Sequence, residues 1–288
     1  MKKQFLLFFL SLTLVTHLSK AQKTADTSPS GDSKSQGISV SPAHFHLSIE
    51  PGDQETKKIA VTNNTDKTQL FQVKVYDFNM NGKGKSSFIP KGEGEYSLSK
   101  YMNISPTFFE VASGEKKEFS YTVSIPDSDE GNRAAWSVIM IEQAEPKKEL
   151  SPIKKSAGTI ALGVIPTYAF GVYIYQNPPN VSVNKVEITN FAFITDEGSN
   201  FINIETKNIG DGIAYCNSYV DLINNETGEQ TRLDVKRFTI VPSLIRDFKF
   251  QLPELQNGSY TAIGVLDFEN AEEIQAAKMQ FTINQSNK

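Results

Sequence analysis

The sequence predicts an all-β protein built as two β-sandwich domains in tandem. Three observations carry that reading. Polar and apolar residues alternate with a period of two along many short segments, as half-buried strands require. No stretch beyond the N-terminus repeats apolar residues at the i, i+3, i+4 spacing of an amphipathic helix. Clusters of Gly, Pro, Asn and Asp punctuate the segments at short intervals, the pattern of sheets joined by turns. The 288 residues suffice for about two domains. The 39% apolar and 22% charged content fits a folded soluble protein, and the 19 Phe and 10 Tyr favour strands.

The elements follow in order. Lys2 and Lys3 precede an apolar run over residues 5–15, and Ser19-Lys20-Ala21 follows it. That is the plan of a secretory signal peptide, 1–21, cleaved after Ala21; its apolar core is too short to span a membrane comfortably. No cysteine stands at the junction for lipid attachment. Residues 22–37, "QKTADTSPSGDSKSQG", lack large apolar side chains and read as a flexible leader. The first sandwich is expected over 38–178. "ISVSPAHFHLSIEPG" leads into the strand "KKIAVTNNTD". "TQLFQVKVYDF" puts Leu70, Gln72, Lys74 and Tyr76 on one face and Phe71, Val73, Val75 and Asp77 on the other. "KKEFSYTVSIP" aligns Phe119, Tyr121, Val123 and Ile125, and "RAAWSVIMIEQ" is a further apolar strand. "EPKKELSPIKKSAG" (145–158) is a basic loop. "NPPN" (177–180) is a hinge. A second sandwich is expected over 179–288, with "RLDVKRFTIVP" as one of its strands and "NETGEQ" (225–230) as a hairpin turn, and with no membrane tail at its end.

"GTIALGVIPTYAFGVYIYQNP" (158–178) carries no charge. A run of that length suggests a membrane helix. Gly158, Gly163, Gly171 and Pro166 argue against a helix, and so do the many β-branched and aromatic residues. As a strand broken at Pro166, it aligns Ile160, Leu162 and Val164 before the break. After it, Tyr168, Phe170, Val172 and Ile174 alternate with Ala169, Gly171, Tyr173 and Tyr175. Both faces are apolar, as expected of a strand with a core on one side and a second surface on the other. Such a ribbon either closes the first sandwich against the second domain or offers its edge to a partner strand.

The order "ISVSPAHFHLSIEPG…KKIAVTNNT…LFQVKVYDF…NISPTFFEVASGEKKEFSYTVSIP…NRAAWSVIMIEQ", then a basic loop and "IALGVIPTYAFGVYIYQNP", resembles the periplasmic pilus-assembly (PapD-like) chaperones over residues 38 to 178. Asn63 of "VTN" and the "SPTFFEVASGE" segment are among the matching cues. The resemblance implies two immunoglobulin-like domains joined at an angle. It implies that the last strand of the first domain lends apolar residues to an unfinished subunit fold; Ile160, Leu162, Val164, Tyr168, Phe170, Val172 and Ile174 occupy that strand here. The family also holds a subunit's C-terminal carboxylate with a cleft Arg and a Lys. This sequence departs there: the positions fall near His46 or Leu47 and near Val172. The C-terminal half, "ETKNIGDGIAYCNSYVDLIN…RFTIVPSLIRDFKFQLPE", is similar to partner-binding domains of Gram-positive cell-surface proteins.

Little in the sequence points to catalysis. No phosphate loop, nucleophile elbow, zinc-protease helix or Cys/His set is present, and "NGKGKSS" matches phosphate loops in composition only. His44 and His46 share one face of a strand; with a third ligand they would suit a metal, and facing a cleft they would make partner binding pH-sensitive. "DSDEG" (127–131) reads as a solvated turn or a weak Ca²⁺ site. Cys216, the only cysteine, has no disulfide partner and reads as a buried small residue. A net charge of −4 gives no reason to expect nucleic acid. Lys147, Lys148, Lys154 and Lys155 flank the apolar ribbon and either keep a loop solvated or steer an acidic partner. The expectation is a non-catalytic, cofactor-free protein of the periplasm or another exported location. It binds exported subunits or surface proteins by strand addition in a chaperone-like role. The alternative is a cell-envelope adaptor for a wall polymer or surface protein.

Overall fold

The computed structural model describes residues 37–144, 167–181, 185–268 and 274–284, all within one compact unit, Gln36–Lys288. The expected signal peptide, leader residues 22–36, Lys147, Lys148, Lys154, Lys155, Ile160, Leu162 and Val164 lie outside the described residues. Ten strands build the first of two immunoglobulin-like sandwiches: β1 (Ile38–Ser41), β2 (His44–Leu47), β3 (Gln54–Asn63), β4 (Gln69–Met80), β5 (Ser86–Ile89), β6 (Met102–Ser105), β7 (Phe108–Val111), β8 (Lys116–Ser124), β9 (Ala135–Ala144) and β10 (Ala169–Gln176). One sheet runs β1-β3-β8-β6; the other runs β2-β10-β9-β4-β5, with β7 also on β4. The chain passes back and forth between the sheets, and two of these crossings, from β1 to β2 and from β6 to β7, fall at Ser41-Pro42 and Ser105-Pro106. A proline has no N–H for the ladder, so each marks a natural break in pairing.

The alternation read from the sequence sets the core. Phe71, Tyr121, Ile139, Ile141, Val172 and Ile174 all point between the sheets and are buried. Asn63, fully buried at the end of β3, organises the following turn: its Nδ2 donates to the Lys67, Val111 and Ala112 carbonyls, and its Oδ1 accepts from the Thr65 N–H and hydroxyl. Asp77 is the charged residue on an otherwise apolar face, and it is buried. Its Oδ2 accepts the N–H groups of Gly92 (2.9 Å) and Gly94 (3.1 Å), and its Oδ1 accepts the Ser137 hydroxyl at 2.7 Å. A Cβ at position 94 would lie 2.8 Å from the Asp77 side chain, so the loop reaches the carboxylate only with glycine there.

The second sandwich holds β11 (Val186–Asp196), β12 (Ser199–Asn208), β13 (Ala214–Asn224), β14 (Gln230–Arg232), β15 (Lys236–Ile240), β16 (Ile245–Gln251), β17 (Gly258–Phe268) and β18 (Gln275–Ile283). Its sheets run β11-β12-β16 and β14-β13-β17-β18, with β15 on β13. Ile202, Ile204, Val220, Phe248 and Phe250 fill the space between them. "RLDVKRFTIVP", expected as one strand, is broken: β14 and β15 pair successive stretches of β13, and Leu233 turns inward between them with its N–H on the Val220 carbonyl. Asn208 repeats the device of Asn63. Fully buried at the end of β12, it donates to the Gly212 and Ile240 carbonyls and accepts the Gly210 N–H. Cys216 is buried. Among the described residues, no helix is long and apolar enough to cross a membrane.

Burial alone would raise the Asp77 pKa, but hydrogen bonds from Ser137, Ser97, Gly94 and Ser99 outweigh it and hold the group below its ordinary 3.8. A depressed carboxylate stabilises the fold in full above 3.8, and that contribution drains away as pH falls through the folded-state value. Asp77→Asn keeps the shape and loses the charge-assisted bonds. It should cost about 1–3 kcal/mol in urea unfolding at neutral pH. It should also flatten the acid limb of the stability–pH curve.

Candidate functional site

Strand β10 is where the two halves of the fold meet. Its even-numbered residues face the first core: Val172 and Ile174 are 0% exposed and Phe170 is half-buried. Its odd-numbered residues face the other way. Tyr173 and Tyr175 join Phe78, Trp136 and Val138 of the first sandwich and Ile213 and Val241 of the second in one cluster. Tyr168, just ahead of the strand, is exposed, at 61%. So Phe170, Val172 and Ile174 lie together on one face, with Tyr168 open to solvent at its end.

The strand's edge divides into two halves. On one side β10 pairs with β9 along its whole length, Ala169 to Gln176. On the other side β2 pairs, in parallel, only with Tyr173 to Gln176. No described strand covers that outer edge over residues 169–172. The Tyr168 carbonyl accepts the Gln143 N–H, towards β9, whereas the Tyr173 N–H donates outward to the Ala43 carbonyl. By the two-residue repeat, the main-chain groups of Ala169 and Gly171 also point outward, along the open stretch.

At its C-terminal end the strand is pinned by two successive amides. The Gln176 side chain donates to the Ile49 carbonyl (2.7 Å) and accepts the Ile49 N–H (3.1 Å), within the first sandwich. The Asn177 side chain makes the same pair of bonds with Ile213 of the second sandwich, both at 2.8 Å. "NPPN", read as a hinge, thus begins with a clamp. Asn180 adds a bond to Asn132 of the first sandwich.

Between the sandwiches lies a cavity of about 420 Å³, with His44, His46, Tyr173 and Tyr175 on one wall and Arg237 and Arg246 on the other. His46 stacks on Tyr215 of the second sandwich at 3.7 Å, and its ring lies 5.9 Å from that of His44. The pair therefore faces the cleft. Among the described residues, no group of three metal-ligating side chains occurs. Burial, and then the neighbouring His44, lower the His46 pKa below 6.5. Burial pushes the Tyr175 phenol up to about 12. The cleft cations come from β15 and β16, which the sequence alone gave no reason to place near residue 46. "KRF" and "RDF" carry alternation but no sign of their position in space. "DSDEG" contributes a short 3-10 turn, Asp129–Asn132, in which the Glu130 carboxylate accepts the Tyr101 hydroxyl.

No family model matches the chain, and no curated protein does. Among solved structures, the chain is similar to PapD-like fimbrial chaperones. One is a chain of a chaperone–tip adhesin complex of CFA/I fimbriae (12% identity, 85% of this chain and 98% of that one, TM-score 0.44). Another is the class 5 fimbriae chaperone CfaA (14% identity, 85% and 98%, TM-score 0.42). A third is the E. coli chaperone DraB (13% identity, 87% and 98%, TM-score 0.39).

Two outcomes test this geometry. Asn177→Ala removes both bonds to Ile213 and leaves a buried-side main-chain pair without partners. It should cost about 1–3 kcal/mol and speed amide exchange at Ile213 while sparing the centre of β9, as read by hydrogen–deuterium exchange. His46 has a lowered folded-state pKa, so its neutral ring stabilises the fold in full above 6.5. That contribution declines below 6.5, where the unfolded chain protonates first. Chemical unfolding across this window should show stability falling with pH, and His46→Gln should reduce the fall.

Proposed function

We propose that this protein is an exported, non-catalytic, chaperone-like binder of envelope or pilus subunits, and that it binds them by strand addition along β10. The single observation that carries the reading is the half-covered edge. Residues 169–172 present outward main-chain groups with no described strand beside them. Phe170 and Val172 stand on the core-facing side of the same segment, so an added strand would meet apolar side chains as well as a hydrogen-bonding edge. That combination is what strand addition uses: main-chain bonds supply affinity, and alternate side chains supply selectivity. The sequence resemblance to the pilus chaperones supports the same reading. It extends the ribbon to Ile160, Leu162 and Val164, and the charges of Lys154 and Lys155 beside that ribbon would steer an acidic client. The signal-peptide pattern of residues 1–21 supports export, to the periplasm in a bacterium with two membranes.

Ala169→Pro tests the edge. Ala169 is exposed and its N–H points away from β9, so proline removes one edge donor and leaves the β9 ladder intact. A photocrosslinker at Tyr168, in the mature protein within its native envelope, should capture a discrete exported protein. Ala169→Pro should reduce that capture about tenfold, the effect of losing ~1.4 kcal/mol. Undiminished capture by a folded Ala169→Pro protein would rule out strand addition here. A partner that remains bound through assembly, rather than being released, would make the protein an envelope adaptor.

A further inference from the structure

A second surface, on the far sandwich, is built to receive negative charge. Between β15 and β16 lies a groove of about 710 Å³ whose lining includes Lys83, Lys236, Arg237, Arg246 and Lys249 against a single carboxylate, Asp247. This concentration of positive charge occurs in a chain whose net charge is −4. Only Lys249 is neutralised by an ion pair among the described residues, with Asp196 at 2.6 Å. Asp247 accepts the Asn203 amide at 3.2 Å. Lys83, Lys236, Arg237 and Arg246 have no carboxylate within 4 Å among the described residues.

Arg246 is the centre of the arrangement. Its Nη1 donates to the Thr239 carbonyl at 2.8 Å and lies 3.6 Å from the Met80 sulfur. Its guanidinium sits 5.4 Å from the ring centres of both Phe238 and Phe248, which stack on each other at 3.6 Å. The β4–β5 turn is shaped around it: a Cβ on Gly84, whose φ is +78°, would fall 2.4 Å from Nη2. A half-buried guanidinium held by aromatic faces and one carbonyl keeps its charge while lacking a counter-ion, and burial lowers its pKa. The groove's two long sides are strand edges. Among the described strands, β15 pairs only with β13, and β16 only with β12. Side chains span the gap between them, from Arg246 to Thr239 and from Lys236 to the Lys249 carbonyl.

We propose that this groove binds an extended acidic peptide segment of a protein partner, with its carboxylates on Arg237, Lys236 and Arg246 and its apolar side chains against the half-buried Phe238 ring, which Phe248 of the core supports from beneath. Planar guanidinium groups suit carboxylates, the aromatic floor suits side chains, and the strand edges suit a peptide backbone. A phosphate polymer would use the cations and leave the floor and edges without a role. The site is separate from the β10 edge and does not depend on it.

The test is fluorescence anisotropy of the mature protein with a labelled peptide of alternating Glu and Val. A Gln/Val peptide, a Lys/Val peptide and poly(glycerol phosphate) serve as comparisons. The Glu/Val peptide should bind, more weakly with added salt, and the other two peptides should not. Arg237 is exposed, so Arg237→Glu should leave the fold intact and weaken binding about tenfold or more. Ala169→Pro should leave this binding unchanged. Failure of the Glu/Val peptide to bind would overturn the proposal, as would equal binding of the Gln/Val peptide. Binding of poly(glycerol phosphate) alone, lost in Arg237→Glu, would assign the groove to a polymer instead. Peptide binding that Ala169→Pro abolishes and Arg237→Glu spares would place the peptide on β10.

Discussion

The architecture depends on one constraint: β10 must satisfy two apolar surfaces at once. A strand directs successive side chains to opposite faces, so eight residues can line a core and an interface only if both sets are apolar. Here the even positions, Val172 and Ile174, seal the first sandwich, and the odd positions, Tyr173 and Tyr175, meet the second. Each fully buried aliphatic side chain contributes roughly 1.5–3 kcal/mol. A one-residue slip would exchange the two sets and put tyrosines into a core sized for Val and Ile. The paired amides of Gln176 and Asn177 fix that register, since each accepts and donates to one backbone residue, Ile49 on one side and Ile213 on the other. Removing charge from the whole segment is the sequence-level consequence of this double duty.

The same strand explains why an edge is left open. β1 and β2 form one line of chain that leaves its first sheet at Ser41-Pro42 and joins the second beside β10. β2 begins only after the switch, at His44, and pairs its four residues with Tyr173 to Gln176, so nothing before Tyr173 is covered. The position of the proline therefore sets the length of the uncovered edge. Open apolar edges promote unwanted pairing, and proteins usually cover or charge them. Ala169 and Gly171, small and uncharged, leave the outward main-chain groups of this stretch unshielded by side chains.

Much of this was legible in the sequence, and the remainder was hidden for identifiable reasons. Period-two alternation assigned the faces of β4, β8 and β10 correctly, because burial of one face leaves a direct mark on residue type. Gly171 and the aromatic and β-branched residues around it favoured a strand over a membrane helix, and the described part of that segment is a strand. Asn63 was marked by the family resemblance alone; its burial at the end of β3, with five hydrogen bonds to the following turn and to β7, left no local sign. Sheet switching at Ser41-Pro42 left only a proline as its sign, and proline also marks ordinary turns. The break between β14 and β15 was invisible because Leu233 is apolar like its strand neighbours; its direction, inward rather than alternating, depends on β13. The meeting of His46 with Tyr215 and of Gly84 with Arg246 joins residues more than a hundred positions apart. Neither local pattern nor composition encodes such a pairing.

These long-range contacts make the second sandwich's charges conditional on the first sandwich. Arg246 lies between a phenylalanine stack from its own sandwich and the β4–β5 turn of the other, where Gly82 and Gly84 allow the backbone to approach. The Gly82 carbonyl also accepts the Asp247 N–H at 2.9 Å, so the turn caps the free edge of β16 at one point and leaves the rest of that edge to the groove. If the sandwiches separated, Arg246 would regain water and lose the wall that confines it. Docking thus adds Lys83 and the β4–β5 turn to a groove otherwise lined by the second sandwich, and docking rests on the odd-numbered face of β10 and the Asn177 clamp. A strand that builds a core, an interface and an edge thereby also fixes how the first sandwich's turn stands against the Arg246 guanidinium.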